Sequence, residues 1–164
     1  MTGTLAPEIG ELQYLQVLIL QKNKFSNTLP SNIGRLQNLA ILDVLENKFT
    51  GSLPKQIYTL SLLQKITLSS NKFHGSISDD IGNLRNLKAV YLFNNTFSGT
   101  FPDSIGNIDT LGYLSIYQNE FSGRFPTAIG NLKRLNALYA YRNAFSGPVP
   151  TELGLLTSLQ SKSF

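Results

Sequence analysis

Apolar residues recur along this chain in pairs with one residue between: Leu18/Leu20, Leu42/Val44, Ile66/Leu68, Val90/Leu92, Leu114/Ile116 and Leu138/Ala140, each pair 24 residues after the last. That alternation predicts a short strand with one face turned inward. A leucine stands three residues before each pair, at Leu15, Leu39, Leu63, Leu87, Leu111 and Leu135. An asparagine stands three residues after it, at Asn23, Asn47, Asn71, Asn95, Asn119 and Asn143, and a phenylalanine two residues later, at Phe25, Phe49, Phe73, Phe97, Phe121 and Phe145. A strand of this length cannot bury its apolar face alone. An unbroken period predicts stacked turns that share one core, with a parallel sheet of about six strands.

The remaining columns have physical reasons. An asparagine amide carries two donors and an acceptor, so a ladder of them can satisfy backbone groups where the chain leaves the strand. The phenylalanines fill the wide side of the core. A Gly-x-apolar-Pro step follows, as in Gly51-Ser52-Leu53-Pro54 and Gly123-Arg124-Phe125-Pro126; proline, with fixed φ and no donor, suits an irregular segment. Ser31, Ser78 and Thr127 occupy the expected N-cap positions of short helical turns. Each turn closes on Ile-Gly, where glycine serves either positive φ or tight packing. Departures are few: Asn27 replaces the first glycine, Tyr58 a closing glycine, and Ala6 and Ser78 the proline.

These columns, read as L-x-x-L-x-x-L-x-L-x-x-N-x-F-x-G-x-L-P-x-x-I-G-x, resemble the plant-type subclass of leucine-rich repeat proteins over nearly the whole chain. The resemblance implies an α/β solenoid. It would be a right-handed superhelix of 24-residue repeats, with a concave parallel sheet and an irregular or 3-10 convex side. It also implies a segment of a receptor-like kinase or receptor-like protein ectodomain, extracellular or at the cell surface, that binds a protein or peptide. An intracellular scaffold, an enzyme inhibitor and an ice-binding protein are the alternatives within such solenoids.

Counted against the ladder, residues 1–11 form a partial turn, about 12–155 six full turns, and 156–164 the start of a seventh, all in one array. Met1 falls in the phenylalanine column, and Lys162 stands where an apolar strand residue is expected. No capping unit is visible at either end, which is the expectation for a piece of a longer array. There is no leader-like segment and no run long enough for a membrane span. Cysteine is absent. Asn94-Asn95-Thr96 is an N-glycosylation sequon with Asn94 as acceptor.

Composition adds little chemistry. The net charge is +4, but basic residues are spread over several columns, so solvated faces explain them better than a nucleic-acid stripe. His74 is the only histidine, in a column otherwise of serine and threonine. Without a second histidine or any cysteine there is no metal set and no nucleophile pair. Asp79-Asp80 suit the first turn of a small helix. The expectation is a non-enzymatic chain with no cofactor, no metal, no nucleic acid and no direct membrane contact.

Recognition is expected on the concave face, where residues alternating with the core positions must point. The column before the strand centre reads Val17, Ile41, Lys65, Ala89, Tyr113, Ala137; the next reads Ile19, Asp43, Thr67, Tyr91, Ser115, Tyr139; the third reads Gln21, Leu45, Ser69, Phe93, Tyr117, Tyr141. Turns one to three contribute no aromatic there, whereas turns four to six contribute Tyr91, Phe93, Tyr113, Tyr117, Tyr139 and Tyr141, with Arg142 at the rim. Grouped exposed aromatics and arginine are the residue types of binding hot spots. Aromatics packing side by side on a sheet is the competing account.

Overall fold

The computed structural model describes residues 1–164. Seven short strands, Val17–Ile19, Ile41–Asp43, Lys65–Thr67, Ala89–Tyr91, Tyr113–Ser115, Ala137–Tyr139 and Ser161–Ser163, form one parallel sheet in sequence order. Adjacent strands pair residues 24 apart, as in Leu114 with Val90 and with Leu138. The sheet thus has one strand more than the expected six, the partial seventh turn supplying it although Lys162 holds its central position. It pairs with Leu138 through backbone groups, which do not depend on the side chain.

Opposite this sheet lies a second parallel one: Thr2–Thr4, Lys24–Asn27, Lys48–Gly51, Lys72–Gly75, Thr96–Thr100, Glu120–Gly123 and Ala144–Phe145. The sequence pattern suggested an irregular segment here. Its strands pair at an offset of 22 residues, Ser26 with Lys48 and Ser98 with Glu120, so the ladder runs diagonally to the 24-residue columns. His74 lies exposed on one of these strands. Seven five-residue 3-10 turns, from Pro7–Glu11 to Thr151–Leu155, complete the repeat.

Between the sheets the leucine, isoleucine and phenylalanine columns make one continuous core. Phe49, Phe73, Phe97 and Phe121 are fully buried, and neighbouring rings lie near-parallel with centroids 6.0–6.3 Å apart along the column. Met1 shares that column by number only: its side chain is 84% exposed.

The asparagine ladder joins three chain segments. Asn95 Oδ1 accepts from the Phe73 N–H at 3.0 Å, and its Nδ2 donates to the Leu68 and Leu92 carbonyls, each at 3.1 Å. Asn47, Asn71, Asn119 and Asn143 repeat the pattern. The residue before each asparagine, Lys22, Glu46, Ser70, Asn94, Gln118 or Arg142, takes φ between +52° and +58°. Left-handed backbone at a side-chain-bearing residue costs about 1–2 kcal/mol, and the bonds the asparagine then makes offset it.

Capping departs from expectation at two of three sites. Ser78 is an N-cap, its Oγ accepting from Asp80 N–H at 3.1 Å. Ser31 and Thr127 lie inside their 3-10 turns, and Pro30 and Pro126 hold the cap positions with no side-chain bond. The closing glycines serve packing, not positive φ: a Cβ on Gly106 would sit 2.5 Å from the Ala128 carbonyl oxygen of the next turn. Tyr58 stands in that column, is buried, and accepts from the Ser78 N–H at 3.2 Å; its 3-10 turn and the next are the most loosely packed neighbours of the series.

Asn95→Ala removes an acceptor and two donors from buried backbone partners. Its expected cost is about 3 kcal/mol of unfolding free energy, read from a shift in the denaturant midpoint at unchanged slope. A loss below about 0.5 kcal/mol would contradict the role assigned to the ladder.

Candidate functional site

Positions on the concave sheet are fixed by strand alternation, but their exposure is decided by neighbours one turn away. Asp43, Thr67, Ser69 and Ser115 were expected on the open face and are buried. Parallel strands lie only about 4.8 Å apart, so larger side chains in the same column, such as Leu45 and Phe93 around Ser69, shade the small ones. The hydroxyls of Thr67 and Ser69 have no hydrogen-bond partner.

The aromatic residues of turns four to six divide into two groups. Phe93, Tyr117 and Tyr141 form a face-to-face stack, with centroids 4.6 Å apart in both pairs and rings within 4° and 7° of parallel. That spacing is shorter than along the buried phenylalanine column. The concave rings are therefore more tightly stacked than the rings inside the core. Stacked neighbours hold each other's orientation.

Tyr91 and Tyr113 lie on the same concave face but toward the start of the strands, bordering a shallow groove with Lys65, Lys88, Gly112, Arg134 and Asn136. Lys65 Nζ is 5.8 Å from the Tyr91 ring centroid and 3.7 Å from Asp43 Oδ2, the one ion pair in the chain. Tyr139 belongs to neither group; its hydroxyl lies 2.8 Å from Ser161 Oγ.

Arg142 is exposed at the rim, beside Tyr141 and close to Phe145, and makes no ion pair. Asn94 is an exposed rim residue whose Nδ2 donates to Ser70 Oγ at 3.2 Å; the sequon's Thr96 hydroxyl donates to the Phe73 carbonyl. Lys88 and Arg134 were not singled out from sequence. Their signal was weak, since they precede the strand by one and three residues and no other turn repeats their charge in those columns.

A profile of the leucine-rich repeat region matches residues 1–94, and a single leucine-rich repeat profile matches residues 86–108. The chain belongs to the leucine-rich repeat family. Its fold is shared with a PEPR1–AtPEP1 crystal structure (TM-score 0.94, 32% identity), which covers 98% of this chain and 22% of that one. It is also shared with the Arabidopsis receptor kinase HAESA, in complex with the peptide hormone IDA and the co-receptor SERK1 (TM-score 0.93, 34% identity, 96% of this chain and 26% of that one). A plant ice-binding protein is similar too, at TM-score 0.73 and 27% identity over 98% of this chain and 67% of that one. No curated protein sequence matched. The leucine-rich repeat chain thus spans about a quarter of the length of the two receptors. No helix in it is long and apolar enough to cross a membrane.

Electrostatics in these repeats are mild. Burial raises the Tyr117 phenol, assisted by the charge and hydrogen bonding of Tyr141; burial, then Tyr113, raises Tyr91. Tyr58 is raised by burial and by Asp80, against the lowering effect of its Ser78 bond. Each therefore holds its proton more tightly folded than unfolded. The associated stability is complete below the ordinary phenol value of 10.0 and is lost as pH rises through the folded value. A phenolate absorbance titration of the folded chain should show a late-ionising fraction that shrinks in Tyr117→Phe. An identical titration curve after allowing for one lost phenol would contradict the stack's effect.

Proposed function

We propose that this chain is a peptide- or protein-recognition segment of an extracellular, receptor-like leucine-rich repeat ectodomain, binding through the concave face of turns four to six. The observation that carries this reading is the Phe93–Tyr117–Tyr141 stack, three large rings held in register on a sheet face outside the core. Ordering side chains on binding costs free energy, and the stack has already ordered these. Tyrosine adds a polar handle to a large contact area. Binding would then be rigid presentation on a curved sheet, with little change of shape. The similar HAESA structure, with its peptide hormone and co-receptor, supports the same class of partner. No catalytic group enters this reading.

An ice-binding role draws on the third similar structure. Such a surface calls for a flat, regular array of small hydroxyl or amide groups. The concave columns here mix Lys65, Asp43, Tyr91 and Phe93, and the two unpartnered hydroxyls are covered.

Tyr117→Ala and Tyr141→Ala, made singly, should each weaken a captured peptide or protein partner about tenfold or more while the chain stays folded, with a cooperative melting transition. Affinity equal to the parent's in both variants would remove the concave stack from the binding site.

Asn94 is proposed as a glycan acceptor on the rim beside this face. Intact mass of protein expressed through a secretory pathway should show a glycan that disappears in Asn94→Gln. An unmodified mass in the parent would reject it.

A further inference from the structure

The concave groove beside Tyr113 has a floor made by a missing side chain. The column preceding the strands reads Gln16, Ala40, Gln64, Lys88, Gly112, Asn136 and Gln160. Gly112 is not required by its backbone. It is absent from the positive-φ residues, and a Cβ there would meet its nearest neighbours, the Lys88 and Arg134 carbonyl oxygens and Asn136 Nδ2, at an ordinary 3.6 Å. This contrasts with Gly106, where a Cβ would strike backbone. Gly112 therefore leaves room for a methyl group between Lys88 and Asn136, and neither its backbone conformation nor a close contact demands glycine there.

The two cations nearest that space have no anionic partner. Lys88 Nζ donates only to the neutral Gln64 Oε1, at 2.9 Å. Neither the Arg134 guanidinium nor the Asn136 amide makes a side-chain bond as donor, and Arg134 has no ion pair. No acidic residue lines the groove, and Asp109, next in sequence to the lining Thr110, pairs with no cation. The Thr110 hydroxyl and the backbone of Gly112 are already satisfied by neighbouring turns. Of the three cations lining the groove, Lys65 is paired with Asp43, whereas Lys88 and Arg134 have no carboxylate partner; these two favour a negative ligand group by charge complementarity.

We propose that this groove is an anion subsite for an acidic side chain of a peptide ligand, with Lys88, Arg134 and Asn136 holding the carboxylate and Tyr113 contacting the neighbouring ligand residue. The subsite rests on the concave-face reading above and adds to it the chemistry of the partner. Nucleic acid fits less well, because the cations stop at the groove and do not track along the sheet.

The test uses positional-scanning pools of octapeptides, acetylated and amidated so that only side chains carry charge, screened against the intact chain by fluorescence anisotropy. Pools fixed as Asp or Glu at one position should bind about tenfold tighter than the matching Asn or Gln pools, and less so at high salt. Lys88→Gln combined with Arg134→Gln should abolish that preference, and so should Gly112→Phe, which fills the floor; Gly112→Ala should retain it. Tyr117→Ala should weaken all pools alike and keep the acidic preference.

The subsite is overturned if neutral or basic pools bind as well as acidic ones, or if the preference survives the double variant. It is also overturned if a short single-stranded DNA binds more tightly than any acidic pool. Loss of affinity in Tyr117→Ala without any acidic preference would defeat the subsite and leave the concave-face reading standing. If the parent binds no pool, both fall.

Discussion

The buried asparagine amide is the interaction on which the rest of this structure depends. At each turn the chain leaves the concave strand, and its carbonyls would otherwise face the core unpaired. One amide answers carbonyls of its own turn and of the turn before, and accepts the N–H that opens the second-sheet strand, as Asn119 does for Leu92, Ile116 and Phe97. An uncompensated buried polar group costs about 1–3 kcal/mol, so a turn lacking this residue would lose much of its reason to stack. The left-handed residue before each asparagine is the local strain that brings the amide into place. Its identity varies from lysine to arginine because its side chain points to the rim.

Aromatic stacking differs between the core and the concave face. Phenylalanine rings inside the core sit 6.0–6.3 Å apart, whereas the concave rings sit at 4.6 Å. A closely spaced concave face is crowded, and crowding decides which residues a ligand meets. Large side chains in one turn cover small ones in the next, so Ser69 and Thr67 vanish beneath their neighbours while Tyr113 stays half exposed. Where a turn contributes no side chain at all, as at Gly112, crowding is relieved and a groove opens.

Periodicity is legible in this chain because every turn solves the same packing problem with the same residue types. Leu42, Phe73 and Asn95 could be assigned to core or ladder without coordinates, and the aromatic columns of turns four to six could be placed on the concave face. The second sheet was hidden because its ladder joins residues 22 apart and crosses the columns that a 24-residue count makes visible. The capping of Ser31 and Thr127 was misplaced by one residue because proline already holds the cap dihedral there. Lys88 and Arg134 were passed over because no repeated column marks them.

Sequence alone determined the repeat, the parallel stacking, the composition of the core and the face that carries the irregular residues, since these depend on spacing and hydrophobicity within a turn. Tertiary structure decided exposure, pairing and the grouping of the concave residues: which hydroxyls are covered, which three rings stack, and which two cations, Lys88 and Arg134, share a groove without a carboxylate of their own. Those properties arise between turns, where side-chain size in one repeat sets the space and the dielectric left to residues of the next.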